Sequence, residues 1–428
     1  MELKPLKEQS PAELAALLKE TKAAYDAFQA KKLSLNMARG KPGPEQLDLM
    51  MPMLDTLTAQ SGAISESGDD CRNYGALEGI LEARKLFADV LGARPEEMFI
   101  AGNSSLELMF TCFQIAFVKG IAGCTPWCRR DDVKFLCPVP GYDRHFSLTE
   151  YFGVQMINIP MDENGPDMAL VKQYVEHDES VKGIWCVPVY ANPTGITYSD
   201  ETVRAFAALK PAAKDFRIYW DNAYCIHHLV ENPKTPLTIN AACAETGNEE
   251  IFYQFASTSK VTFPGAGVAV LNTAKENLKE LSAAIGIQTI GFDKMNQLRH
   301  VRFFRDADNM RAIMDQHRKV LAPKFEIVLN MLDQEIAPLG IGKWTKPEGG
   351  YFVSFDAPKG TAKRIVQLCK EGGVTMTGAG ATYPYGKDPD DSNIRIAPTY
   401  PVPAELQQAM ELFCICVKLA ALEQLVNG

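Results

Sequence analysis

The chain has 428 residues, 46% of them hydrophobic and 23% charged, and a formal net charge of −9. That length can bury a large core without staples and suggests two or three domains at roughly 150 residues each. The acidic balance does not indicate a general nucleic-acid surface, and no apolar run approaches the ~18 residues of a membrane span.

The first stretch, MELKPLKEQSPAELAALLKE, lacks the apolar core of a signal peptide. Ser10, Pro11 and Glu13 fit a capping box with proline at the first helical position, opening a surface helix. From about residue 98 the chain alternates short apolar runs with helical patterns. MFIAGNSSLELMFTCFQIAF reads as strand, turn and helix, and VKFLCPVPGYDRHF as strand and loop. VKGIWCVPVYANPTG, FRIYWDNAYCIHH and EIFYQFASTSK are further strands that end in polar loops. Strands alternating with helices indicate an α/β domain with a mainly parallel sheet, and ligands bind beyond the carboxyl ends of such strands. After about residue 320 the texture changes to a long helical pattern, GGYFVSFDAP, a helix around 362–370 and NIRIAPTYP. This predicts a smaller α+β domain of residues 1–55 and 321–428 beside a large domain of 56–320. The terminal AELQQAMELFCICVKLAALEQL predicts an amphipathic helix.

The 11 cysteines are scattered and often lie inside apolar runs, as reduced core thiols of a cytoplasmic protein would. Cys124 and Cys128 lack a second Cys/His pair with zinc spacing. His227 and His228 are adjacent, so in regular structure they point different ways; no metal site is expected.

Four features carry chemistry. Asn192-Pro193-Thr194-Gly195 follows a strand, although alone it is a plain turn. Asp221 directly follows IYW and leads into Asn222-Ala223-Tyr224, where a helix cap is the ordinary alternative. Lys260 follows FYQFAS and two more hydroxyl residues, an unusual place for a solvated lysine. Arg395 sits inside the short apolar strand NIRIAP, where a guanidinium needs an anion, either a structural carboxylate or a ligand. Pyridoxal 5′-phosphate (PLP) chemistry uses such a set: a lysine for a Schiff base, a carboxylate against the pyridine nitrogen, donors to the phenolic oxygen and a phosphate cradle.

In their order and spacing these motifs resemble fold-type I PLP enzymes, specifically the class I aminotransferase family, over about residues 35–400. The ARGKPGPEQLDL, PGYDRHF, STSK…GAG and DKMNQLRH segments together resemble an atypical aspartate aminotransferase subgroup. The resemblance implies that Lys260 bonds the cofactor and moves the substrate proton, and that Asp221 holds the ring nitrogen protonated. Asn192 and Tyr224 are implied as donors to the phenolic oxygen, Tyr142 as the stacking aromatic and His145 as the support of Asp221. Asn103, Ser104, Ser105 and Ser257 are implied as the phosphate cradle, and Tyr74 as a residue that reaches the phosphate of a neighbouring subunit in a homodimer. Arg395 would grip the substrate α-carboxylate and Gly40 would close over it.

One departure stands out. Most of the family carries an arginine shortly after the lysine, whereas this chain reads KVTFPGAGVAV. Lys294 or Arg299 are the candidate replacements at the phosphate. For a dicarboxylic substrate the second cation would be Arg144, with Arg39 in reserve.

Other readings stay open. Ser257-x-x-Lys260 also fits a penicillin-binding serine hydrolase, but no KTG element follows. A PLP-binding transcription regulator would need a winged-helix domain that the residues before MARGKPG do not hold. An aminotransferase for aromatic or aminoadipate-like amino acids, or a PLP lyase of the same fold, shares these motifs. The expected activity is transamination between amino acids and 2-oxo acids in a ping-pong sequence, with aspartate and 2-oxoglutarate as substrates.

Overall fold

The structure, a computed structural model, describes residues 4–427. The strands in chain order are β1 (Leu35–Asn36), β2 (Met98–Ile100), β3 (Lys134–Val139), β4 (Gln155–Asp162), β5 (Gly165–Pro166) and β6 (Val181–Cys186). There follow β7 (Arg217–Asp221), β8 (Phe252–Ser257), β9 (Ala269–Asn272), β10 (Lys343–Trp344), β11 (Val353–Asp356), β12 (Val374–Thr375) and β13 (Asn393–Ile396).

The central sheet has eight strands in the order β2-β9-β8-β7-β6-β3-β4-β5. The pairs β8–β7, β7–β6, β6–β3 and β3–β4 are parallel, while β9 runs antiparallel between β2 and β8. Alternate residues feed two different cores. Phe135, Trp185, Tyr219, Tyr253 and Phe255 enter one, and Leu136, Ile184, Ile218, Trp220 and Phe252 the other. A sheet covered on both faces is buried along its strands without alternation, as VKGIWC, RIYWD and FYQFAS are at every position but the last serine.

A second layer holds the antiparallel sheet β10-β11-β13 and the parallel pair β1–β12. The N-terminal segment thus pairs with the C-terminal part of the chain. Its first long helix, Pro11–Gln29, opens with the capping box Ser10–Glu13 and with Pro11 at its first position. The helix Ala307–Glu335 runs unbroken through the expected domain boundary at residue 320. The terminal helix Pro403–Asn427 corrects the amphipathic expectation: Leu406, Met410, Phe413, Cys416, Val417 and Leu422 are all buried. A helix that is apolar around most of its circumference is an interior helix, and this one lies among the helices Pro11–Gln29, Ala307–Glu335 and Ala362–Glu371.

All 11 cysteines are free, and most are buried. No helix among the described residues is long and apolar enough to cross a membrane.

Candidate active site

The adjacent parallel strands β6, β7 and β8 set the site. Asn192 lies in the loop after β6, Asp221 is the last residue of β7, and Lys260 follows β8. The loop after β3 supplies Tyr142, the helix Asp143–Tyr151 that follows supplies His145, and β13 of the second layer supplies Arg395. Several strand ends pointing one way gather polar groups that are distant in sequence.

Asp221 is buried and accepts from His145 Nε2 on Oδ2 at 3.0 Å, while its Oδ1 has no partner. His145 is held by its own packing: its ring stacks on Trp185 at 4.4 Å and 10°, with the Tyr142 ring edge-on at 4.9 Å. A buried carboxylate oxygen without a donor is costly, and Oδ1 is free to accept from any donor that reaches it.

Lys260 Nζ lies 4.9 Å from the centre of the Tyr224 ring and 5.6 Å from that of Tyr351. Burial pushes the ammonium below its ordinary value; the negative charge of Asp221 opposes the shift and the positive charge of Arg395 adds to it. The residue as a whole is half-buried. A lysine with a depressed pKa is closer to its neutral, nucleophilic form. Burial pushes the Tyr224 phenol well above its usual range, so it remains a protonated donor. The Tyr142 hydroxyl is raised to about 12, again chiefly by burial.

Arg395 is 6% exposed. Its Nη1 donates to Asp143 Oδ1 at 2.7 Å and to Asn192 Oδ1 at 3.2 Å, its Nη2 donates to Thr377 Oγ1 at 3.4 Å, and its Nε is buried without a partner. The guanidinium carbon sits 4.9 Å from the centre of the Phe352 ring. On that same ring lies the reason for Gly40: a Cβ there would meet Phe352 Cζ at 2.5 Å. Any side chain at this position would displace the ring on which Arg395 rests.

At the other end Ser104 caps the helix Ser105–Val118, accepting from Glu107 N at 3.3 Å. The first-turn N–H groups of a helix have no intrahelical acceptor and favour an anion. Ser259 Oγ donates to the Asn103 carbonyl at 3.1 Å and accepts from Ser257 Oγ at 3.1 Å, which brings Ser257 to the same place. Asn103 Nδ2 donates to the Pro264 carbonyl at 3.1 Å. The loop after Lys260 is held by neutral groups. Asn296 Nδ2 donates to the carbonyls of Ala266 and Gly267 at 3.1 and 2.8 Å. Beneath it, His300 Nδ1 donates to the Asn296 carbonyl at 2.8 Å, so Nε2 is the acceptor that faces the hydroxyls of Thr258 and Thr262 at 3.2 and 3.0 Å.

Lys294 and Arg299, the candidate cations for the phosphate, both have partners within the protein. Lys294 is buried and donates to the carbonyls of Asn73 and Gly75 at 2.6 and 3.0 Å. It therefore braces the turn that carries Tyr74, whose side chain is 80% exposed. Arg299 donates to Asn296 Oδ1. Two of the three N–H bonds of the Lys294 ammonium go to backbone carbonyls, which the sequence pattern DKMNQLRH does not disclose. Arg144, in the first turn of the helix Asp143–Tyr151, is exposed, and so is Arg39.

Sequence reasoning missed several contributors. Asp143 was passed over in the quoted PGYDRHF, although a carboxylate next to the implied stacking tyrosine was the available signal. Gln46 Nε2 donates to Tyr351 Oη at 2.9 Å and lies 3.0 Å from His317 Nδ1, and Tyr351 Oη donates to the Lys260 carbonyl at 3.3 Å. This buried chain links the N-terminal segment, the long helix Ala307–Glu335 and the residue before Phe352 to the backbone of the lysine. Its members come from three distant segments and share no local pattern.

A family model described as aspartate amino-transferase matches residues 9–428. The chain is 44% identical over 409 residues to an aspartate aminotransferase of Corynebacterium glutamicum, covering 95% of this chain and 94% of that one. A crystal structure of an aspartate transaminase from the same organism superposes with a TM-score of 0.95 at 42% identity, covering 99% of each chain. The fold alone is shared with the α-aminoadipate aminotransferase LysN of Thermus thermophilus, solved with N-(5′-phosphopyridoxyl)-L-leucine. That match has a TM-score of 0.73 at 20% identity and covers 93% of this chain and 96% of that one. With a model match and relatives above 40% identity along almost its whole length, the chain belongs to the aspartate amino-transferase family of fold-type I aminotransferases.

Proposed function

We propose that this aminotransferase uses PLP to exchange the amino group of aspartate with 2-oxoglutarate. The observation that carries the reading is the paired state of Asp221: one oxygen on His145, the other buried and unpartnered, beside a lysine whose charge is destabilised by burial. These residues fit the cofactor. Asp221 Oδ1 would accept from its ring nitrogen, Tyr142 would cover its ring, and Asn192 and Tyr224 would donate to its phenolic oxygen. Its phosphate would rest on Asn103, Ser104, Ser105 and Ser257. When bound, PLP supplies an electron sink for the charge left at the substrate Cα.

The protein's own groups do the rest. Lys260 would anchor the cofactor, and its Nζ, when free, would take the proton from the substrate Cα. A depressed lysine pKa suits that base role near neutral pH. Arg395 orients the α-carboxylate so that the Cα–H bond faces the lysine, with Phe352 and Gly40 fixing its plane. Arg144 would meet the side-chain carboxylate of a dicarboxylic substrate by swinging from the first turn of its helix. Residues 1–55 and 321–428 form a small domain in this reading, which closes over the substrate and excludes water. Tyr74 would reach the phosphate of a second subunit from the turn braced by Lys294, making the functional unit a homodimer. The free thiols support a cytoplasmic location.

The test is a panel of amino donors assayed with 2-oxoglutarate. Aspartate should give the highest kcat/KM; preference for an aromatic or apolar donor would overturn the dicarboxylate assignment.

A further inference from the structure

Arg395 has a counter-ion of its own. Asn192 and Thr377 are neutral acceptors at 3.2 and 3.4 Å, but Asp143 brings a full negative charge to Nη1 at 2.7 Å. The two partners come from different layers, Asp143 from the helix after β3 and Arg395 from β13. Their exposures also differ. The Asp143 side chain is 31% exposed and that of Arg395 6%, so the carboxylate is the solvent-side member of the pair. Nε of the same guanidinium is buried and unpartnered, so Arg395 keeps a donor for a further anion while Asp143 stays in place.

A buried guanidinium needs an anion whether or not a ligand is bound. A ligand carboxylate that takes the remaining donor would come within a few ångströms of Asp143, and like charges that close offset part of the attraction to Arg395. We propose that Asp143 is an affinity-setting counter-ion, which competes with ligand carboxylates for Arg395 and lowers the affinity of the site for them. The proposal rests on the reading of Arg395 as the carboxylate-binding residue. Within that reading, Asp143 keeps the site from holding substrate and product acids too tightly.

Asp143→Asn isolates the charge, because asparagine keeps the Oδ1 acceptor and the shape. The experiment is calorimetric titration of the holoenzyme with succinate, a dicarboxylate with no amino group to transfer. Asp143→Asn should bind succinate roughly tenfold more tightly than the wild type. Arg395→Ala should bind it at least about tenfold more weakly, and adding Asp143→Asn to Arg395→Ala should change nothing further. Unchanged or weaker binding by Asp143→Asn, with Arg395→Ala still weak, would overturn the proposal and leave Asp143 a brace between layers. The same tightening in the Arg395→Ala background would also overturn it, since the charge would then act without Arg395. Wild-type affinity in Arg395→Ala would instead reject the carboxylate reading of Arg395 itself. Asp143→Ser carries the same arm if the asparagine variant does not fold.

Discussion

At one end of the site Arg395 offers a full positive charge, buried, paired with Asp143 and pressed against Phe352. At the other end Ser104, Ser257 and the first turn of the helix Ser105–Val118 offer neutral donors, while Lys294 and Arg299 are engaged with the backbone and with Asn296. Both ends suit anions, but in different ways. The charged end depends on a cation whose strength is tuned by a neighbouring carboxylate. The neutral end spreads the work over several hydrogen bonds and a helix terminus, each worth little alone. The first should therefore fail at a single substitution, and the second should degrade step by step.

The largest effect is expected midway between the two ends. Lys260→Ala removes both anchor and base, and turnover should fall by roughly 10⁴-fold or more in a steady-state assay. Arg395→Ala should lower kcat/KM for aspartate by about 10²- to 10³-fold, as truncating a buried charge partner does. Arg144→Ala should raise the KM for aspartate and glutamate by about tenfold and leave an apolar donor unchanged; equal effects on both would remove it from the substrate site. Ser257→Ala should weaken cofactor retention by only about three- to tenfold, measured by equilibrium dialysis of PLP. A loss at Ser257 as large as that at Arg395 would erase the contrast between the ends.

A separate effect concerns stability. Burial lowers His300 and His317 from 6.5 to about 4. Between these values the unfolded chain binds protons that the folded chain refuses. Stability from the two neutral rings is therefore full above pH 6.5 and is lost as pH falls toward 4, up to about 3 kcal/mol each. His300→Gln, scanned by thermal unfolding, should flatten that acid-side decline; an unchanged slope would show that His300 is not its source.

Much of the charged centre was legible in the chain, because strand ends and turns are local signals. FYQFAS before Lys260, IYW before Asp221 and NPTG after VKGIWC each marked a place where an apolar run stops at a polar group. In the structure those stops are the adjacent ends of β6, β7 and β8. What stayed hidden depends on tertiary approach. The Gln46–Tyr351–Lys260 chain joins residues far apart in sequence, and Lys294 looks like any first-turn lysine until the carbonyls of Asn73 and Gly75 meet it. The antiparallel insertion of β9 between β2 and β8 left no periodicity to distinguish it from its neighbours. The terminal helix was misjudged because burial on several sides is set by three other helices, not by its own pattern.

The most direct test of the central claim is the half-reaction. Holoenzyme is mixed with aspartate in the absence of any 2-oxo acid, and the released products are counted per subunit. The account predicts about one oxaloacetate per subunit and no ammonia, followed by glutamate formation when 2-oxoglutarate is added. Continuous release of fumarate and ammonia, or of alanine and carbon dioxide, from aspartate alone would contradict it.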